Sequence, residues 1–251
     1  MKAWGFLPVL LIFSCQSFGR QFSFNESTNS AYLIFNYGPS VVADAMFSKE
    51  ATTTLKYNDG LQANVSGEFG YVFSTSRTIV RLGVEFLRPL RLESVEAKTT
   101  GGSLLYRADC DILGIIPKGG IELVLYAKNS YRIFLMMEAG AGTLSVKNSY
   151  RLTAAGSATF AGVTDHSVEY KGSTSTFGGA FGFEQIISDT TAYVFQAGYR
   201  ALYFPTLTYA SDTNTFLGAK SAGATVTDAS GAGRLMDFTN YYASIGLRIY
   251  L

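Results

Sequence analysis

Along much of this chain apolar and polar side chains alternate with a period of two, the pattern of strands with two unlike faces. In AYLIFNYG, Ala31, Leu33, Phe35 and Tyr37 lie opposite Tyr32, Ile34, Asn36 and Gly38. The same alternation runs through QANVSGEFGYVFS (62–74), TIVRLGVEFL (78–87), GIELVLYA (120–127) and YRIFLMMEAGAGT (131–143). It returns in TFGGAFGFE (176–184), AYVFQAGYRALYF (192–204) and NYYASIGLRIYL (240–251), which makes eight strands and predicts an all-β chain.

The links between these stretches provide an independent signal. Short ones fall at STSR (74–77), KNS (128–130) and SDT (188–190); long ones fall at about 39–61, 90–118, 144–174 and 205–236. Short and long alternate strictly. Bacterial membrane barrels sort their loops this way, with short periplasmic turns and long outer loops, whereas a soluble sandwich has no reason to. Within the long links, SVKNSYRLT and HSVEYKG read as strand extensions above the bilayer, and FLGAKSAGATVTDASGAG (216–233) reads as loop. The expected fold is an eight-stranded antiparallel up-and-down transmembrane β-barrel.

Charge placement decides which face is outside. One face of the eight strands carries essentially no charge, while the other holds Glu68, Arg81, Glu85, Glu122, Arg132, Glu138, Glu184, Arg200 and Arg248. In a soluble barrel these charges would be a solvated outer face. In a membrane barrel the arrangement inverts, and an eight-stranded interior is just wide enough for side chains to fill. Five glutamates against four arginines suit a salt-bridged plug better than an open pathway of one sign. Glycines on the charged face (Gly70, Gly83, Gly182 and Gly246 among them) would make room, and Tyr126, Phe134 and Met136 would add interior bulk. Tyr37, Phe73, Tyr131, Tyr203, Phe204 and Tyr241, near strand ends, would form interfacial girdles.

Composition agrees with a membrane setting. Of the 251 residues 47% are hydrophobic and only 16% charged, against roughly 25% charged in soluble domains. Lys2, the apolar AWGFLPVLLIF, and small Ser17 and Gly19 read as a signal peptide over 1–19. A short segment (20–29) and the barrel (30–251) follow. Without the leader's lysine, 19 basic residues face 19 acidic ones, so nucleic acid is excluded as a partner. Cys15 in LIFSC is similar to a loose lipobox, with Phe13 too bulky for the pattern. Cleavage after Gly19 leaves Cys110 alone, unable to form an internal disulfide. No later segment has the run of 18 or more apolar residues needed for a membrane helix.

These features together resemble the small OmpA/OmpX-type outer-membrane β-barrels of Gram-negative bacteria. The resemblance is carried by the hairpin pattern, MEAGAGT in the fifth strand and GGAFGFEQIISDTTAYVFQAGYR across the sixth and seventh, and it covers about 30–251. It implies a monomer in the outer membrane, with membrane lipid, lipopolysaccharide and the outer-membrane assembly machinery as partners. The assembly signal of such barrels lies in the C-terminal strand, where Ser244, Gly246, Ile249 and Leu251 match its spacing; Leu251 replaces the usual terminal aromatic. Members serve as envelope-structure proteins, narrow channels, adhesins or lipid-modifying enzymes, and the fold does not choose among them.

Catalytic chemistry finds little footing. The sole histidine, His166, stands with Asp165, Ser167 and Glu169 in TDHSVEYKG. Adjacent side chains of an extended segment point to opposite faces, which keeps His166 and Ser167 apart. One histidine and one mature cysteine cannot form a transition-metal site, YASDTNT has too few carboxylates for calcium, and no phosphate-binding loop occurs. No catalytic residue, metal or cofactor is expected. A non-enzymatic envelope or surface-interaction barrel with a charge-plugged lumen is the leading reading. A narrow or gated channel for small solutes is the alternative, and a lipid-modifying hydrolase a distant third.

Overall fold

The computed structural model describes residues 29–39, 55, 63–74, 78–89, 92–160, 163–216, 218–228 and 231–251. The expected leader, Cys15, most of the segment 20–29, most of the first long link and the turn centre 75–77 lie outside these residues.

Eight antiparallel strands close on themselves. They are β1 (Asn29–Pro39), β2 (Ala63–Ser74), β3 (Thr78–Leu87), β5 (Leu104–Ala127), β6 (Tyr131–Leu152), β7 (His166–Ile186), β8 (Thr191–Phe204) and β13 (Asn240–Tyr250). Between β3 and β5 lies β4 (Leu92–Lys98), a strand paired with β5. A short helix, α1 (Ala154–Thr159), joins β6 to β7. The last long link contains β9 (Leu207–Tyr209), β10 (Thr213–Thr215), β11 (Gly218–Lys220) and β12 (Met236–Asp237). Each barrel strand pairs with its sequence neighbour, and β13 closes the ring against β1 from Ser30↔Tyr250 to Tyr37↔Ala243. Closure leaves no exposed edge at this level and satisfies the backbone internally, the condition for strands to cross a bilayer.

The outer face around the ring is apolar. Exposed side chains include Leu33 and Phe35 on β1, Phe69 on β2, Leu82 on β3, Ile121 and Leu123 on β5, Phe181 on β7 and Ile245 and Leu247 on β13. On β5 this belt runs from Leu113 to Leu125, which at about 3.3 Å per residue and a tilt of about 40° is about 30 Å of membrane thickness.

All eight strands read from the alternation are present, and SVKNSYRLT and HSVEYKG extend β6 and β7 to 22 and 21 residues as expected; β5, at 24 residues, is far longer than the alternation suggested. PKGG (117–120) looks like a turn signal, yet β5 runs straight through it, with Pro117 facing outward opposite Val84. Proline has no N–H to donate, and the β5–β6 ladder skips from Ile115↔Thr143 to Lys118↔Gly140 around it. Two side chains also change sides. A register shift between Val124 and Tyr126 turns Tyr126 outward, 46% exposed, so it adds no interior bulk. Phe204 turns inward and packs against Phe238, so it is no part of a girdle, whereas Tyr37, Phe73, Tyr203 and Tyr241 are exposed.

Beyond the belt the strands keep their period while the polarity of their faces reverses. On β5 the outward series passes from Ile115 and Leu113 to Asp111, Asp109 and Arg107, while the inward series passes from Glu122 and Lys118 to Ile116, Ile112, Cys110 and Tyr106. On β6 the outward change comes at Thr143, and on β7 at Ser175. The inward side chains of this upper region form one apolar core with Val95, Val146, Tyr170, Leu202, Leu207, Val226 and Phe238. Membrane lies outside the lower wall and water outside the upper one.

Strand contact at Gly198 is close enough to test the ring. A Cβ there would lie 2.3 Å from the Gly179 carbonyl oxygen and 2.6 Å from the Ala180 Cβ. Gly198→Val is expected to cost about 1–3 kcal/mol through overpacking. It should lower the urea midpoint in lipid vesicles and reduce the heat-modifiable band on SDS gels, while the outward Ala197→Val leaves both unchanged.

Candidate functional site

The barrel interior at belt level is the main concentration of polar chemistry. Tyr32 and Ile34 of β1, Val72 and Ile79 of β2 and β3, and Phe134 and Met136 of β6 fill space between charged groups. Neighbouring glycines accommodate them: a Cβ at Gly83 would meet the Tyr32 hydroxyl at 2.0 Å, and one at Gly182 the Phe134 ring at 2.2 Å. All nine charges singled out in the sequence are buried here, each no more than 8% exposed.

Toward the short turns, Arg248 donates to Glu184 Oε2 at 2.9 Å and to Glu122 Oε1. Arg132 donates to the same Glu184 oxygen at 2.7 Å and to the Tyr250 hydroxyl at 2.8 Å, and Tyr250 in turn donates to Glu184 Oε1. At mid-barrel the Arg81 guanidinium lies over the Tyr32 ring, 4.4 Å from its centroid. It donates to Glu68 Oε1 from Nε at 2.9 Å and from Nη2 at 2.5 Å, and stands 3.8 Å from Glu122. Higher up, Arg200 pairs with Glu85 and donates to Asn240 Oδ1 at 3.3 Å.

The register sets Glu68 directly opposite Glu85 on adjacent strands, a pairing of like charges that is unfavourable by itself. Lys118 resolves it. Its ammonium lies 2.6 Å from Glu68, 3.1 Å from Glu85 and 3.0 Å from Glu138, with the side chain 5% exposed. Sequence reading missed Lys118 because it placed the residue at the end of the long link 90–118. Its signal was parity, since Lys118, Gly120 and Glu122 share one face of an unbroken strand. With Lys118 this belt-level network holds, among the described residues, five carboxylates and five cations, and they cancel.

The residues that suggested a hydrolase are dispersed. His166 stacks on Tyr150 at 4.9 Å and meets Phe216 edge-on at 5.0 Å. The Ser167 hydroxyl is 3.0 Å from that of Ser149 on the outer face. Asp165 accepts from the Leu152 N–H at 2.8 Å, and Glu169 from the Ser145 hydroxyl at 3.1 Å. Among the described residues no group of three or more His, Cys, Asp or Glu side chains is placed to hold a metal. Cys110 is buried in the upper core between β4 and β6.

The upper region is built as a solid platform. On its outer face Arg151 pairs with Asp109 at 2.7 Å, and Asp109 also accepts from the Ser94 N–H at 2.7 Å, where β4 bulges and Ser94 takes φ 52°. Hydrogen bonds from Lys98 and Arg107 hold the exposed Glu96 carboxyl below the ordinary carboxylate range. At the top Phe216, from the last long link, enters a cluster of Tyr106, Tyr150, Phe160 and His166, with ring centroids 4.8 to 5.2 Å away.

In the C-terminal strand Ser244 and Gly246 face inward, the Ser244 hydroxyl 3.4 Å from Gln196 Oε1, while Ile249 and Leu251 face outward at 50% and 79% exposure.

No protein-family model matches the sequence, and no curated protein matches it. Solved structures with a similar course include OprG from Pseudomonas aeruginosa, 12% identical at a TM-score of 0.47, covering 92% of this chain and 99% of that one. Ail of Yersinia pestis, in complex with the heparin analogue sucrose octasulfate, is 10% identical at a TM-score of 0.40, covering 90% and 99%. Neisserial surface protein A is 10% identical at 0.37, covering 87% and 96%. The closed ring, apolar belt and buried charges of this chain define its class on their own: an eight-stranded membrane β-barrel of the outer-membrane kind.

Removing one member of the lumen network leaves its direct partners short of a buried counter-charge. Lys118→Met takes the ammonium from Glu138 and from the facing Glu68 and Glu85, which keep Arg81 and Arg200, and is expected to destabilise the barrel by about 3–5 kcal/mol, read as a lowered urea midpoint. Lys147→Met, on the exposed outer face, should leave the midpoint unchanged.

Proposed function

We propose that this protein is a non-enzymatic outer-membrane barrel of a Gram-negative envelope, and that it holds a rigid β-platform above the membrane for surface interaction. The observation that carries this reading is the continuation of β5, β6 and β7 past the belt. Their inner face there is packed on an apolar core, and their outer face presents charge and hydroxyl groups to water. Strands that only had to span would stop where the lipid stops.

The lumen supports a plug in preference to a path. Its charges cancel within one linked network, Phe134 and Met136 fill space between them, and the apolar core lies above. Membrane lipid and lipopolysaccharide are the partners that match an apolar belt below a hydroxyl-rich and charged rim. Ser244, Gly246, Ile249 and Leu251 serve as the signal to the assembly machinery, and the closed ring acts as a monomer.

Purified protein in a planar lipid bilayer is expected to give no regular conductance steps, with Glu68→Gln and Arg81→Ala as comparisons. Reproducible steps from the unsubstituted protein would sink the plug reading and favour a narrow gated channel. The platform has its own readout. Phe216→Ala removes the ring that holds the last long link, and should raise protease cleavage between 205 and 235 on intact cells roughly tenfold, with heat-modifiability retained.

A further inference from the structure

The wall between β7 and β8 parts at one place. Their ladder ends at Thr176↔Leu202, and β7 resumes pairing, now with β9, at Gly172↔Leu207. Three residues of β7 (Ser173, Thr174, Ser175) therefore face four (Tyr203, Phe204, Pro205, Thr206), and Pro205 has no N–H to offer the ladder. The Thr174 hydroxyl spans the gap by donating to the Tyr203 carbonyl oxygen. Outside this parting lies a recess of about 450 Å³, lined by Ser173, Thr174, Ser175, Phe177, Ala201, Tyr203 and Pro205.

Position and lining together specify an occupant. The recess sits where the outward face of β7 changes from Phe177 to Ser175, which on the membrane reading of the belt is the boundary between acyl chains and headgroups. Phe177, 67% exposed, and Tyr203, 41% exposed, stand on either side of small Ala201, which Phe177 faces across the ladder. That end is apolar and opens toward lipid. The opposite end is made of hydroxyls and parted backbone. Among the described residues no charged side chain lines the recess; Lys171, the first on that face of β7, is two residues beyond Ser173. Elsewhere the same boundary is charged, as at Asp111 of β5 with Arg88. We infer that this recess is a binding site for a single-chain lipid with an uncharged, hydroxyl-bearing headgroup, the chain lying over Ala201 between Phe177 and Tyr203 and the headgroup hydrogen-bonded at Ser173 and Ser175.

Native mass spectrometry of the full folded protein tests this with two probes, monopalmitoylglycerol and palmitoyl lysophosphatidylglycerol. One monopalmitoylglycerol is expected to be retained, about tenfold more tightly than the anionic lipid, the difference that roughly one to two hydrogen bonds provide. Ala201→Trp, which fills the recess from the lipid side, should reduce retention about tenfold, whereas Leu123→Trp elsewhere on the belt should not. The double change Ser173→Ala with Ser175→Ala should abolish the preference for the uncharged headgroup, and it keeps the test decisive should Ala201→Trp fail to give a heat-modifiable barrel. Equal retention by Ala201→Trp and Leu123→Trp would mean ordinary surrounding lipid and overturn the proposal. So would equal or tighter binding of the anionic probe, or a dimer lost in Ala201→Trp without any lipid adduct, which would make a second copy of the chain the occupant. Each of these outcomes is separable from the plug and platform readings, because bilayer conductance and protease resistance do not depend on the recess.

Discussion

Ten charges enclosed in a wall of strands must cancel one another, and much of the rest of the molecule follows from that requirement. Burying an isolated charge costs several kcal/mol, and the attraction within a pair offsets this only when geometry and hydrogen bonding are good. Here the pairs are linked. Arg248 holds Glu122 and Glu184, Glu184 is shared with Arg132 and Tyr250, and Arg81 joins Glu68 with Glu122 nearby. Lys118 ties together the carboxylates that the β2–β3 register sets face to face. Glycines at Gly83 and Gly182 let rings occupy the remaining space.

The same strands solve two opposite solvation problems. Where lipid surrounds the wall, polar groups turn inward and apolar ones outward; where water surrounds it, the assignment reverses. A one-residue slip would exchange the faces, but none is needed at the change of solvent, since β5 keeps Tyr106, Cys110, Ile112, Lys118 and Glu122 on one side throughout. Only residue chemistry changes, at Asp111, Thr143 and Ser175. The period of a strand records its geometry, and the polarity of each face records the medium beside it.

This distinction explains what could be read from the chain. The eight spanning strands were legible because their apolar face is nearly free of charge, and nine of the ten lumen charges were legible from parity alone. The tenth was hidden by Pro117 and two glycines, which mark a turn in isolation but are tolerated where β3 and β6 hold the strand on both sides. The extensions of β6 and β7 were legible in SVKNSYRLT and HSVEYKG, whereas that of β5 was hidden by the polarity reversal, which looks like the end of a strand when one face is expected to stay apolar. Tyr126 went astray through a local register shift that no pattern announces. His166 drew attention as the only histidine, yet its surroundings are aromatic rings.

Alternation, loop order and the placement of charge are local properties, and by themselves they determined the strand number, the inside and outside of the barrel and its membrane setting. Tertiary structure alone decided which charge meets which, because those pairs join residues as far apart as Glu122 and Arg248 through ring closure. It also decided that Phe216 seats among four rings from other elements, and that β8 leaves β7 at Pro205 to open a recess at the lipid boundary. Those are contacts between distant segments, and no period along a single strand encodes them.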